Sequence, residues 1–297
     1  KDKCFLMDCG EGTYGQLLRL YRDQYKEKLL QLFSIFISHM HADHHLGLVK
    51  VLKERHRLIQ NSQMEYEPVY LVGPKELDPW LKNYYMHFEE ISPLYRFVEC
   101  RDLELNPFGE FASVAEQEKY LKDITISTVP VIHCKDSHGA IISSKSKKWK
   151  LVYSGDTIPC KRLIEAGKNC SLLIHEATME DELSAEAAAK RHSTTSEAIK
   201  VAEDMNAGYT ILTHFSQRYA KVPLFNENFH NHVGCAFDNM KVQPNQFYIL
   251  PLLLPTLKTL FAEYIEDMHI KGHKRRNREN MKNNVITESV NKKLCTG

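Results

Sequence analysis

The order of apolar runs and polar turns predicts a layered α/β protein, and two observations carry the prediction. Short β-branched or aromatic runs alternate with longer segments whose apolar residues recur every three or four positions, the two periods of strand and helix. The residues best suited to chemistry, Asp8, His39, His133, Asp156, Glu176 and His214, fall where the strand-like runs stop. Strand ends in layered α/β folds line one edge, so residues distant in sequence can meet there.

Lys3 to Cys9 reads as a strand running into Asp8-Cys9-Gly10-Glu11-Gly12, whose glycines permit a sharp turn before a helix from about Thr13 to Tyr25. The apolar run from Phe33 is a buried strand that stops at a group of histidines. Leu46 to Ile59 is helical by spacing, with Leu46, Val49, Leu52 and Leu58 on one side. A strand (Pro68 to Val72), a helix opening at Pro74 and a strand from Tyr95 to Cys100 follow, and residues 101–122 read as a polar insertion or long loop. Strands are then expected at Ile124 to His133, Gly139 to Ser144 and Lys150 to Ser154, the last entering Gly155-Asp156-Thr157. A helix (Cys160 to Ala166), a strand (Ser171 to Ile174), two helices (Glu182 to Arg191, Ser196 to Asn206) and a strand at Tyr209 to Thr213 complete the pattern. No internal repeat and no linker divides it.

Composition narrows the class. At 297 residues, 43% hydrophobic and 26% charged, the chain has the makeup of a globular protein with a full core. Its late apolar stretch, Phe247 to Leu257, is interrupted by Pro251 and Pro255 and is too short to span a bilayer, so no membrane partner is expected. Eight cysteines lie scattered without a C-x-x-C pair, which argues against a zinc ribbon or disulfide framework and for a reducing compartment. Net charge is +1, but eight Lys or Arg against two Glu give residues 271–297 a charge of +6 and leave the body near −5. We expect a catalytic domain over residues 1–268 and a basic, disordered tail over 269–297. Lys1 leads straight into a strand-like segment, so the chain reads as part of something longer.

Residues 33–45, Phe-Ser-Ile-Phe-Ile-Ser-His-Met-His-Ala-Asp-His-His, carry the chemistry. Four histidines and Asp43 occupy seven positions, where 15 histidines spread over the chain would place fewer than one. Imidazole nitrogen and carboxylate oxygen are ligands for zinc and similar borderline metals. Alternate residues at a strand end point the same way, so His39 and His41 can grip one ion, with Asp43 and His44 placed for a second as a helix begins. A dinuclear site needs about seven or eight ligand atoms and a carboxylate to bridge ions about 4 Å apart. His133, Asp156 and His214 are the candidates for the remainder.

The spacing His-x-His-x-Asp-His resembles the signature of the metallo-β-lactamase superfamily. That resemblance implies a four-layer αββα sandwich lacking its first strands, with two Zn2+ per chain. It places His39, His41 and His133 on one ion, and Asp43, His44 and His214 on the other, with Asp156 bridging. Asp8 is expected to hold a ligand imidazole by its free N–H. Further stretches resemble ribonuclease Z, the tRNA 3′-end processing endonuclease, in the carboxy-terminal half of its long eukaryotic form. These are His175-Glu176-Ala177-Thr178 with His192-Ser193-Thr194, Asp8 to Thr13, Leu212 to Tyr219, and Ala236-Phe237-Asp238; the likeness runs from about residue 3 to 265.

The resemblance implies removal of the 3′ trailer from precursor tRNA by a metal-bridged hydroxide, leaving a tRNA 3′-hydroxyl and a 5′-phosphate on the trailer. Asp43 would orient the nucleophile and take its proton. His192, held by Glu176, would protonate the leaving 3′-oxygen. His45 and His175 are expected to have no part in the chemistry. The family further implies a missing amino-terminal half packed against this one rather than a homodimer, and a nuclear and mitochondrial location. Two alternatives stand beside this reading: a thioester hydrolase of the same fold, and a metal-free half that only binds RNA.

Overall fold

The computed structural model describes residues 3–62, 65–104, 123–144, 146–216, 229, 232–267 and 270. Among them, β1 (Cys4–Met7), β2 (Leu32–Phe36), β3 (Val69–Gly73) and β4 (Tyr95–Glu99) form one sheet in that order, every pair parallel. The second sheet runs β10 (Val233–Cys235), β9 (Tyr209–Thr213), β8 (Leu172–Glu176), β7 (Trp149–Tyr153), β6 (His138–Ser144), β5 (Ile124–Pro130). Only β6 is antiparallel to its neighbours, so β5, β7, β8 and β9 point the same way and end at one edge.

Strand alternation builds the layers. Val69 and Leu71 of β3 cluster with Leu48, Val51 and Leu52 of the helix Leu48–Ser62, while Tyr70 and Val72 cluster with Ile126 and Ala140 of the second sheet. On that sheet's outer side, Val129, Ile141, Val152 and Leu173 meet Leu163 of the helix Lys161–Gly167 and Val201, Ala202 and Met205 of the helix Thr195–Met205. The result is the expected αββα sandwich with its apolar layer between the sheets. Burying a side chain such as Leu71 or Leu173 is worth roughly 1.5–3 kcal/mol, so these three layers dominate stability.

Several expectations are corrected. The helix from Thr13 stops at Tyr21, where Arg22 turns to φ 45°; a 3-10 turn and a second helix, Tyr25–Gln31, then lead directly into β2. β2 ends at Phe36, so His39 and His41 lie on a loop beyond the strand and not on its alternating positions. The strand β10 and the helix Leu254–Leu260 have no counterpart in the sequence reading; three residues are too few to show a period. Residues 105–122 of the expected insertion, Gln217 to Tyr219 of the quoted motif, and the basic tail apart from residue 270 lie outside the described residues.

Gly10 and Gly47 serve close approach, not unusual dihedrals; the left-handed residue of this turn is Asp8, at φ 58°. Cys9 N–H donates to His44 O (2.7 Å) and Gly47 N–H to Cys9 O (2.8 Å), so the first loop lies directly on the backbone of the helix Ala42–His45. A Cβ at Gly47 would stand 2.0 Å from Gly10 O, a backbone atom that cannot yield without moving the loop. Gly47→Ala is therefore expected to destabilise by about 1–3 kcal/mol or more, read as a lower urea midpoint. An unchanged midpoint would show that the loop adjusts freely.

Candidate metal centre

Every strand whose end was singled out contributes to one edge. Asp8 follows β1, the His39–His44 segment follows β2, and His133, Asp156, Glu176 and His214 come at or after the ends of β5, β7, β8 and β9. Two bonds between the sheets hold that edge in register. Tyr153 donates its hydroxyl to Asp8 Oδ2 (2.6 Å), and His138 N–H donates to Ser38 O (2.9 Å).

Hydrogen bonds fix how the imidazoles face. Asp8 Oδ2 accepts from Ser38 Oγ (2.8 Å), Tyr153 and His44 Nδ1 (2.8 Å), while its Oδ1 takes Ser38 N–H (2.7 Å). With its own proton given to Asp8, Ser38 Oγ is the acceptor for His39 Nδ1 at 3.0 Å. His133 Nδ1 donates to Arg191 O (2.9 Å). Thr178 donates to Glu176 Oε2 (2.6 Å), which leaves its oxygen to accept from His214 Nδ1 (2.8 Å). Four rings thus spend Nδ1–H on the protein and turn Nε2 inward.

Those four nitrogens surround Asp156. Nε2 of His39, His44 and His133 stand 3.7, 3.4 and 3.7 Å from Asp156 Oδ2, and His214 Nε2 stands 3.6 Å from Oδ1. His41 Nδ1 lies 2.9 Å from His39 Nε2 and 3.1 Å from His133 Nε2. Asp43 Oδ2 faces His44 Nε2 at 3.6 Å and His214 Nε2 at 3.8 Å. His44 Nε2 is buried without a hydrogen-bond partner.

This arrangement suits cations between the donors. Asp156 is 3% exposed, yet among the described residues its ion-pair partners are five histidines and no Lys or Arg. A buried carboxylate needs positive charge nearby. Burial, joined by the charge of His44, pushes the His39 imidazole down to about 2, keeping its lone pair free. Burial also opposes charge on His44, but the carboxylates of Asp156 and Asp8 prevail and raise it to about 10. Asp156 is held well below the usual carboxylate range, because the imidazoles around it outweigh its burial. Inward ring nitrogens facing one another around an anion, with an orphaned Nε2 among them, fit metal ions of the zinc type. Donor atoms within 4.8 Å of one another group as His39, His41, His133 and Cys134; as His39, His44 and Asp156; and as Asp43, His44 and His214.

A family model described as a β-lactamase superfamily domain matches residues 3–215. The chain belongs to the β-lactamase superfamily. Superfamily relatives include the zinc phosphodiesterase ELAC protein 2 of Mus musculus, 43% identical over 281 residues, or 92% of this chain and 33% of that protein. The mitochondrial ribonuclease Z of Drosophila melanogaster is 42% identical over 280 residues, 92% of this chain and 35% of its own. A long form RNase Z from yeast superposes with a TM-score of 0.77 at 29% identity, covering 86% of this chain and 39% of that one. This member of the superfamily therefore spans about a third of the length of the curated relatives it matches.

Glu176 and His192 lie beside the histidine ring. Glu176, 1% exposed, accepts His192 Nδ1–H (2.9 Å) and Thr157 N–H (2.8 Å) on Oε1, and its other oxygen holds Thr178. His45 donates to His41 O (2.9 Å) against Trp80, and buried His175 donates to Glu176 O (2.7 Å). The sequence reading missed Ser38, Tyr153 and Arg191, and it quoted Thr178 without giving it a task. Only Thr178, two residues from Glu176, had a signal that could have been followed.

Asp8→Asn tests the support of His44. Asn tolerates the left-handed backbone at this position, so the fold is kept while an acceptor facing His44 Nδ1 is replaced by an amide. Zinc affinity is expected to fall about 10- to 100-fold, measured by competition with a chromophoric chelator. Equal affinity would mean that Asp8 does not set the ring.

Proposed function

We propose that this chain is the catalytic part of a zinc-dependent endoribonuclease that removes the 3′ trailer from precursor tRNA. The observation that carries the reading is the Glu176–His192 pair beside the histidine ring, in a chain similar to proteins named zinc phosphodiesterase and ribonuclease Z. His39, His41 and His133 would hold one ion, Asp43, His44 and His214 the other, and Asp156 both. When bound, the two ions supply a water acidic enough to attack phosphorus near neutral pH and positive charge for the phosphoryl oxygens. Asp43, whose side chain is 65% exposed, orients that water and accepts its proton. His192, 15% exposed, has Nδ1 engaged by Glu176 and gives a proton from its other nitrogen to the leaving 3′-oxygen. The products are a tRNA ending in a 3′-hydroxyl and a trailer beginning with a 5′-phosphate.

We assign the chemistry to residues 1–268, with the basic tail from 269 outside it. The partner we infer is precursor tRNA, with a further amino-terminal half packed on this one, and a nuclear and mitochondrial location. Among the described residues no helix is long and apolar enough to cross a membrane.

The test is incubation with a 3′-extended pre-tRNA, with and without chelator, alongside zinc analysis. Cutting just after the discriminator nucleotide, abolished by chelator and restored by Zn2+, with about two zinc per chain, is expected. Cutting that ignores chelator would sink the mechanism. Hydrolysis of a lactoylthiol with none of RNA would favour the thioester reading, and RNA binding without zinc the non-catalytic one.

A further inference from the structure

Arg191 joins two parts of the site that the chemistry above uses separately. It follows the helix Ser184–Lys190 with φ 57°, a left-handed conformation that Gly or Asn adopts more readily, and the next residue is His192. From there it grips His133 at two points. Its carbonyl accepts His133 Nδ1–H at 2.9 Å, and its guanidinium donates to His133 O at 2.6 Å. The residue is exposed and, among the described residues, forms no ion pair, so its guanidinium is not drawn away from His133 O by a carboxylate. A further bond, His192 N–H to Ala187 O (2.9 Å), fastens the loop to its own helix.

One hydrogen bond to an imidazole would let the ring turn without carrying the partner loop. Two bonds, one to the ring and one to the backbone of the same residue, make the loops move together. We propose that Arg191 is a positioning residue that couples occupation of the His133 side of the metal centre to the placement of His192. An ion that draws on His133 Nε2 fixes that ring, the ring holds the Arg191 carbonyl, and the peptide joining Arg191 to His192 is held with it. By linkage, ordering of the loop strengthens the metal side equally. The proton donor is then in place when metal is present and looser when it is not. The proposal rests on the metal reading given above.

Hydrogen exchange across residues 187–195 tests it on the whole chain, with and without Zn2+, in the wild type, Arg191→Asn and Arg191→Lys. Asn suits the left-handed backbone, so the guanidinium is removed without new strain. In the wild type, zinc is expected to slow exchange in this segment. In Arg191→Asn the slowing should shrink by about tenfold, the worth of one hydrogen bond from a charged donor, although zinc still binds. Arg191→Lys, which keeps one donor, should recover part of it. Full protection in the Asn variant, or no zinc effect in the wild type despite bound zinc, would overturn the coupling. Zinc content on the same samples separates the two readings: a wild type that binds none removes the metal assignment, and this coupling with it.

Discussion

Asp156→Asn is expected to leave a folded chain that holds no zinc at micromolar metal and cuts no pre-tRNA above background. Asp156 is buried at the end of β7, and four inward Nε2 atoms surround it at 3.4 to 3.7 Å, three toward one oxygen and one toward the other. An amide keeps the volume but loses the negative charge, and it turns one acceptor into a donor. On the side of the inward Nε2 atoms of His44 and His214, Asp43, largely exposed, is then the carboxylate that remains, while Asp8 still holds His44 from Nδ1. Thermal unfolding gives a second measurement independent of RNA. A metal that binds only the native state stabilises it by about 2.7 kcal/mol at a hundredfold excess over its Kd. The wild type should therefore melt higher in zinc, while the variant should not. Full zinc content in Asp156→Asn would show that Asp156 does not hold the metal.

His192→Ala should do the opposite: keep the zinc content of the wild type and lose about 10²- to 10⁴-fold in cleavage rate. Two oxygens of Glu176 are committed to Thr157, Thr178 and His192, so the carboxylate survives removal of the ring with partners in place. The ring nevertheless lies close to the cluster, with Nδ1 3.9 Å from Asp156 Oδ2, close enough that a ligand role has to be tested. Zinc analysis of the variant decides between them. Metal retained with activity lost supports the proton donor, and metal lost refutes it.

The sequence made some of this legible and hid the rest for physical reasons. His39, His41, Asp43 and His44 were readable because a local segment concentrates donors that no turn requires. His133, Asp156 and His214 were readable only through the strands before them, since a single histidine or aspartate has many ordinary uses. The strand Tyr209–Thr213 agrees residue for residue with its prediction, because a short β-branched run has sharp edges. The end of β2 was read too far. Ser38 turns to Asp8 with both N–H and hydroxyl, and no local pattern announces that pull. Tyr153 is a strand residue by every sequence measure, and only tertiary packing brings its hydroxyl to Asp8. Arg191 looked like the last residue of a helix, and the structure spends it on the loop of His133.

The division of donors between the sheets bears on how such a chain can change. His39 to His44 arrive on one segment after the first sheet's β2, whereas His133, Asp156 and His214 arrive on three loops of the second. The apolar layer joining the sheets, built on Phe36, Tyr70, Val72, Ile126 and Ala140, contains none of these donors. Shape and chemistry are thus inherited through different residues. Loss of the one short stretch from His39 to His44 would remove four of the clustered side chains at once and leave that apolar layer intact.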